Sequence, residues 1–272
     1  MFLKDFNDYP ENLKLYGGNA GRKLGIKAGK LVVACKDFTD ERHILREFRE
    51  VKNYYNEKLE NMLDTSITSS DDDAHFTSLD ALIIHLKYNP ILQSVEGCPE
   101  RFWECAIIDG IINNNDRNNG NWGILQNPDD NSYTLAPIFD NGGSFNNKLG
   151  KEEFKRRLQS EKAMLDSALG TITSYALNDE MLTYKALLDL NYEELNKAIL
   201  KVSNTVENKF EEIAEFIDAI PEQEDKIEII SGYQKEFYVR SMAMRYEKLL
   251  KPRCCQLKSE ASTLITRISQ AP

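Results

Sequence analysis

Hydrophobic positions follow two regimes along this chain. Near the start, KLVVACKDF (30–38) is a short apolar run bracketed by Lys30 and Lys36, which predicts a strand. The preceding stretch, YGGNAGRKLGI (16–26), is glycine-rich with a broken polar–apolar strand pattern, consistent with a small hairpin region. A helical period then takes over. ERHILREFREVKNYYNEKLENML (41–63) keeps Ile44, Leu45, Phe48, Val51, Tyr55, Leu59 and Leu63 near one face and predicts a helix. TSITSSDDDAH (65–75) breaks that period and reads as an acidic loop. Thr77 and Asp80 are spaced as a capping box for the helix TSLDALIIHLKY. Pro99 suits the first turn of the next helix, whose apolar face carries Phe102, Trp103, Ala106, Ile107 and Ile111. That helix runs into a cluster of asparagines.

The pattern changes again over WGILQNPDDNSYTLAPIFDNGGS (122–144). Two short apolar strands flank a turn made by Asn127, Pro128, Asp129, Asp130 and Asn131. The second strand delivers Asp140 into a Gly-Gly-Ser loop. Beyond residue 151 the periodicity predicts helices at 151–159, 180–190, 192–219 with a break, and 222–249, with Pro221 and Pro252 as punctuation. No internal repeat is visible. The chain divides into a strand-containing entry, a central helix–loop–hairpin–loop unit, and a helical C-terminal region.

Length and composition add bounds. The 272 residues allow one large domain or two smaller ones, and 41% hydrophobic with 29% charged residues is ordinary for a globular chain. A net charge of −10 argues against nonspecific binding to nucleic acid or anionic membranes, and no helix-turn-helix signature is present. The five cysteines are sparse and odd in number, with no C-x-x-C pair, so free thiols in a cytoplasmic protein are the simpler expectation. The three histidines do not cluster with them, which disfavours structural zinc. Neither a signal peptide nor a membrane-length apolar run is expected.

The candidate chemistry lies in NNNDRNNGNW (113–122) and in DNGGS (140–144). Each segment alone reads equally well as a turn. Pairing of the two intervening strands brings Asn121 and Asp140 to the same end of a hairpin. Asp116 then suits acceptance or orientation of a hydroxyl proton. Asn121 offers a neutral oxygen and Asp140 a carboxylate to one hard cation, Mg²⁺, which in turn binds triphosphate oxygens. Arg117 neutralises a nearby carboxylate or phosphate, and Gly142 and Gly143 relieve steric restriction beside a nucleotide.

Residues 109–144 resemble the catalytic core of HipA-like serine/threonine kinases, whose pattern runs Asn-x-Asp-Arg-His, then Asn before a strand, then Ala-Pro-x-x-Asp. This chain matches it with Asn114, Asp116, Arg117, Asn121, Ala136, Pro137 and Asp140. It is most similar to the small single-chain, proinflammatory-type kinases of that family, through Gly-Gly-Asn-Ala-Gly at 17–21 and Val-Ala-Cys-Lys-Asp-Phe at 33–38. The resemblance implies an α+β, protein-kinase-like fold, with a reduced N-lobe and hinge over 1–38 and a mostly helical C-lobe over 39–272. It implies ATP and Mg²⁺ as cofactors and a protein serine or threonine as acceptor, the 65–70 loop of the chain itself included. Asp116 corresponds to the catalytic aspartate, with Arg117 and Asn118 beside it, and Asn121 and Asp140 to the metal ligands. Ala34, Cys35, Lys36 and Asp37 correspond to the adenine-binding hinge, and Gly17, Gly18 and Gly21 to the loop near the phosphates.

Two departures stand out. Asn118 occupies the place of the family's histidine and carries no proton-dependent charge. Between the glycine-rich segment and the hinge there is no Lys-Phe-Pro strand, only Lys27 and Lys30 close to the hinge strand. These departures keep two alternatives open: a kinase-like binding module without catalysis, and a kinase of small hydroxyl compounds. The sequence identifies no antitoxin-like partner and fixes no oligomeric state. Other conspicuous residues have plainer expectations. His43 and His85 read as surface or capping residues, Trp103 and Trp122 as packing, the 71–73 acidic run as a solvated loop, and Tyr233, Phe237, Met244 and Leu249 as the apolar side of a C-terminal helix.

Overall fold

A computed structural model describes residues 13–16, 33–54, 59, 76–224 and 227–269. In chain order the elements are β1 (Leu13–Tyr16), β2 (Val33–Lys36), β3 (Ile44–Glu47), α1 (Phe48–Val51), β4 (Thr77–Ser78), α2 (Leu79–Tyr88), α3 (Pro90–Gln93) and α4 (Cys98–Ile112). They continue as β5 (Gly123–Gln126), β6 (Tyr133–Leu135), α5 (Lys151–Leu158), α6 (Glu161–Leu169), β7 (Ile172–Leu177), β8 (Glu180–Thr183) and α7 (Tyr184–Leu188). The last are α8 (Glu193–Ala219), β9 (Gln223–Glu224), β10 (Ile227–Glu228), α9 (Gly232–Arg245), a π turn (Tyr246–Leu250) and α10 (Lys251–Ser269).

The central hairpin forms where the apolar alternation places it. β5 pairs antiparallel with β6, with Ile124 opposite Leu135 and Gln126 opposite Tyr133. The hairpin gains a third strand that the periodicity did not foretell. Ile44–Glu47 is extended and pairs antiparallel with β5, Leu45 lying opposite Leu125. The expected helix over 41–63 therefore begins only at Phe48; α1 ends at Val51, and Leu59 is helical again. Residues 44, 45, 48 and 51 fit a helical face, but the open edge of β5 offers backbone partners that a helix at 44–47 would leave unpaired.

Other elements required correction. Thr77 lies on β4, paired in parallel with β7, so the Thr77–Asp80 capping box does not form. The N-cap of α2 is Ser78, without a side-chain cap, and Asp80 instead accepts the backbone N–H of Asn178 at 2.7 Å. The predicted helix 180–190 is a strand over 180–183, paired antiparallel with β7, and becomes helical only at Tyr184. The predicted helix 222–249 starts with β9 and β10 and becomes helical at Gly232 behind a Ser231–Gln234 capping box. Pro252 does not end the last helix. The preceding π turn, in which the Lys251 N–H bonds the Tyr246 carbonyl, widens the ladder where proline lacks a donor, and α10 continues. The break allowed for in 192–219 does not occur, Glu193–Ala219 being one unbroken helix, while Pro99 sits in the first turn of α4 as expected.

The main core forms where α4 meets α8. Trp103, Ala106, Ile107 and Ile111 pack with Leu195, Ala198, Ile199 and Val202, all buried. Trp103 stacks on Tyr192 at 5.5 Å between ring centres, and Trp122 stacks on Phe48 at 4.6 Å, so both tryptophans pack as expected. A smaller cluster joins Phe154, Met164 and Phe237 from α5, α6 and α9. His85 corrects its surface assignment: it is 3% exposed, and burial, followed by the charge of Lys52, pushes its pKa down to about 4. His43 is exposed and pairs with Asp40 at 2.8 Å. Cys98, Cys105, Cys254 and Cys255 are free thiols. Among the described residues no helix is long and apolar enough to cross a membrane.

Candidate active site

The asparagine cluster is the joinery of one loop. Asn113 ends α4 in the left-handed region, φ 52°, which Asn tolerates better than most residues. Its amide donates to Asn146 Oδ1 at 2.8 Å, tying the end of α4 to the loop after Asp140. The Asn114 amide donates to Asp109 Oδ1 at 2.9 Å, while its Oδ1 accepts the Asp116 N–H at 3.4 Å. Asn118 closes a small turn, its side chain accepting the Gly120 N–H at 2.9 Å and donating to the Asp116 carbonyl at 3.3 Å. Both of these bonds stay within the loop. The carbonyl of Asn119 accepts the Arg49 N–H at 2.9 Å. Asn121 donates its amide to the Asp116 carbonyl at 2.6 Å. With its nitrogen so engaged, Asn121 has an amide oxygen to offer a ligand.

Asp116 is exposed, and its carboxylate oxygens have no hydrogen-bond partner among the described residues. Gly143 lies directly against it: a Cβ on Gly143 would stand 2.6 Å from Asp116 Cβ and 2.9 Å from Asn114 Oδ1. The Asp116 and Asp140 loops are therefore in contact. Asp140 adopts φ 54°, an uncommon conformation for a non-glycine residue. Its carboxyl pKa is raised, first by burial and also by the neighbouring Asp116 charge, with Arg117 acting in the opposite direction.

Arg117 is wholly buried. Nε and Nη2 grip Asp109 Oδ2 and Oδ1, both at 2.8 Å. Nη1 donates to the Phe139 carbonyl at 2.6 Å and to the Asn121 carbonyl. Nη2 also donates to Asn141 Oδ1 at 2.7 Å. All five N–H groups of the guanidinium are thus used. Burial works against its charge, but the bonds to Asp109 outweigh it and raise the Arg117 pKa. The arginine expected beside a carboxylate or a phosphate pairs with the Asp109 carboxylate and, from there, clamps two loops together.

The sequence expectations near the entry are only partly described. Gly17, Gly18 and Gly21 lie outside the described residues, as do Lys27, Lys30 and the 65–70 loop. Ala34, Cys35 and Lys36 lie on β2, opposite Leu15, Lys14 and Leu13 of β1. Asp37 accepts the Thr39 N–H at 2.9 Å and its hydroxyl at 2.8 Å, closing a turn after the strand. The Phe38 ring lies 5.6 Å from Phe139, so the end of the hinge segment touches the residue before Asp140.

Asp109, Tyr175 and Gly143 matter to this geometry in ways the motif reading missed. A carboxylate in the otherwise apolar middle of α4, eight residues before Arg117, was the available signal for Asp109. Tyr175, on β7, had none, because its contact with Asp109 spans 66 residues.

No protein-family model matches the chain. Over 122 residues it is 35% identical to the serine/threonine-protein kinase CtkA of Helicobacter pylori, a match covering 44% of this chain and 33% of that protein. The matched segment thus spans about a third of the curated relative's length. The crystal structure of a Helicobacter pylori proinflammatory kinase CtkA superposes with a TM-score of 0.70 at 23% identity, covering 85% of this chain and 77% of that one. The chain is therefore a homologue of CtkA over the matched segment, and its fold is the CtkA kinase fold.

Proposed function

We propose that this protein is an ATP-dependent kinase that transfers a phosphoryl group to serine or threonine of a protein. Asp116 orients the acceptor hydroxyl and receives its proton. Its exposed carboxylate, without a partner of its own among the described residues, suits that role. The observation that carries the reading is the Arg117 clamp, which gathers Asn121, Phe139 and Asn141 onto one guanidinium and so draws both candidate ligand segments to Asp116.

Asn121 and Asp140 are the residues that would hold Mg²⁺. The fit rests on their chemistry: one amide oxygen with its nitrogen already engaged, and one exposed carboxylate on the loop that lies against Asp116. No group of three His, Cys, Asp or Glu side chains is assembled among the described residues. Two protein oxygens suit an ion that otherwise keeps water and phosphate oxygens. When bound, the ion would supply positive charge that offsets the triphosphate during transfer. The backbone at Ala34, Cys35, Lys36 and Asp37 would meet adenine, and Gly17, Gly18 and Gly21 would approach the phosphates. In this reading residues 1–38 serve as a small N-lobe with hinge, residues 39–272 as the C-lobe, and the protein acts in the cytoplasm.

The reading is tested by titrating the protein with ATP, with and without Mg²⁺, in a calorimeter. Binding that needs Mg²⁺ and weakens by at least about tenfold, or roughly 1.4 kcal/mol, in Asp140→Ala and Asn121→Ala supports it. Binding indifferent to both substitutions and to the ion refutes the shared-ion assignment.

A further inference from the structure

Asp109 opens the segment that carries the kinase resemblance but matches none of its motif positions, yet the loops bearing Asp116, Asn121 and Asp140 lead back to it through Arg117. It is 1% exposed on α4. Its Oδ1 accepts from Asn114 at 2.9 Å and from Arg117 Nη2 at 2.8 Å. Its Oδ2 accepts from Arg117 Nε at 2.8 Å and from the Tyr175 hydroxyl at 2.7 Å. Tyr175 is fully buried on β7; burial, and then the Asp109 charge, holds its pKa well above the ordinary value, so it keeps the proton it donates. Its neighbour Ser174 accepts the Arg117 backbone N–H at 3.2 Å.

A buried ion pair is weak evidence of stability, since apolar residues of the same volume often serve as well. It does supply direction. Two parallel N–H bonds from Arg117 to Asp109 fix the plane of the guanidinium. The remaining donors then hold Asn121, Phe139 and Asn141 at set positions around that plane. A lysine would bring three donors on one point and no plane. Tyr175 adds a bond to the carboxylate from a strand that contributes no candidate ligand of its own.

We propose that Asp109 and Tyr175 are positioning residues of the phosphoryl-transfer centre. Through Arg117 they set how the Asn121 and Asp140 segments stand relative to Asp116. The proposal rests on the kinase reading for its functional consequence, but the mechanical coupling can be measured without it.

Tyr175→Phe is the informative variant, because it removes one oxygen and keeps the ring. Asp109→Asn is the stronger perturbation, but it strands Arg117 without its anion and risks the fold. Backbone hydrogen exchange is read in wild type and in Tyr175→Phe, together with kcat and peptide KM for phosphoryl transfer from Mg-ATP. The expected result is exchange faster by roughly tenfold at Arg117 and Asn121, whose N–H groups are bonded to Ser174 and Asn118, with amides of α8 unchanged. A kcat lower by about tenfold at unchanged peptide KM accompanies it. Unchanged exchange at those two amides overturns the proposal, as does an equal rise across α8, which would mark Tyr175 as a general core residue. If loosening is local but kcat is retained, the positioning role is refuted while the coupling stands. If loosening is local and the wild type transfers no phosphoryl group, the kinase reading fails and the coupling is supported.

Discussion

Gly143→Ala adds one methyl group where the two loops of the candidate centre touch. The new Cβ would stand 2.6 Å from Asp116 Cβ, 2.9 Å from Asn114 Oδ1 and 3.4 Å from the Asp116 nitrogen. Carbon atoms rest at about 3.5–4.0 Å, so the loops must separate by about 1 Å. Gly143 does not occupy the left-handed region, so alanine adds crowding without backbone strain. Misplacement of that size at a reacting group costs about 100-fold in rate. Overpacking costs about 1–3 kcal/mol of stability, which at ~2–4 °C per kcal/mol lowers the melting temperature by roughly 2–12 °C and leaves the protein folded at 25 °C. Gly150→Ala is the control, because a Cβ there would meet nothing within 4 Å. The assay follows labelled γ-phosphate from Mg-ATP into protein serine or threonine. Gly143→Ala should be slower by about two orders of magnitude and Gly150→Ala close to wild type. Wild-type transfer by Gly143→Ala, or equal damage in both variants, would refute the placement of Asp116 against Gly143.

Two further outcomes follow from buried groups. His85, neutral in the fold down to about pH 4 against an ordinary 6.5, makes the unfolded chain the better proton acceptor between those values. Stability is therefore full above pH 6.5 and falls by about 3 kcal/mol as the pH drops to 4, so His85→Gln should flatten that part of a denaturant-midpoint series against pH. Arg117→Lys keeps the charge but replaces five directed donors by three on one point, and should lose about 1–3 kcal/mol in urea unfolding together with Mg²⁺-dependent ATP binding.

What the sequence made legible was local. The β5–β6 hairpin could be placed because its turn chemistry and alternation lie within adjacent residues, and Pro99 marked the start of α4 for the same reason. Ile44–Glu47 was misread because Ile44, Leu45, Phe48 and Val51 satisfy a helical period, and only the distant edge of β5 decides for a strand. Glu180–Thr183 repeats the lesson, since its partner β7 was itself unrecognised. The candidate residues Asp116, Asn121 and Asp140 were readable as a motif. What holds them was not: Asp109 and Tyr175 meet only after β7 has folded against α4, and Gly143 matters through a contact with Asp116 rather than through its backbone angles. The asparagines were suggestive as a group, but their separate tasks emerge only when Asn146 and Asp109 are beside them.

The central claim is that the Asp116 loop transfers phosphoryl groups. The most direct measurement is incorporation of labelled γ-phosphate into protein by wild type and by Asp116→Ala, in the presence of Mg²⁺ and at matched ATP occupancy. Asp116 is exposed and contributes its side chain to no hydrogen bond among the described residues, so alanine should leave the loop folded and ATP bound. The account predicts incorporation by the wild type and a loss of at least about 100-fold in Asp116→Ala. Equal incorporation by the two proteins, or none by a wild type that binds Mg-ATP, would contradict it.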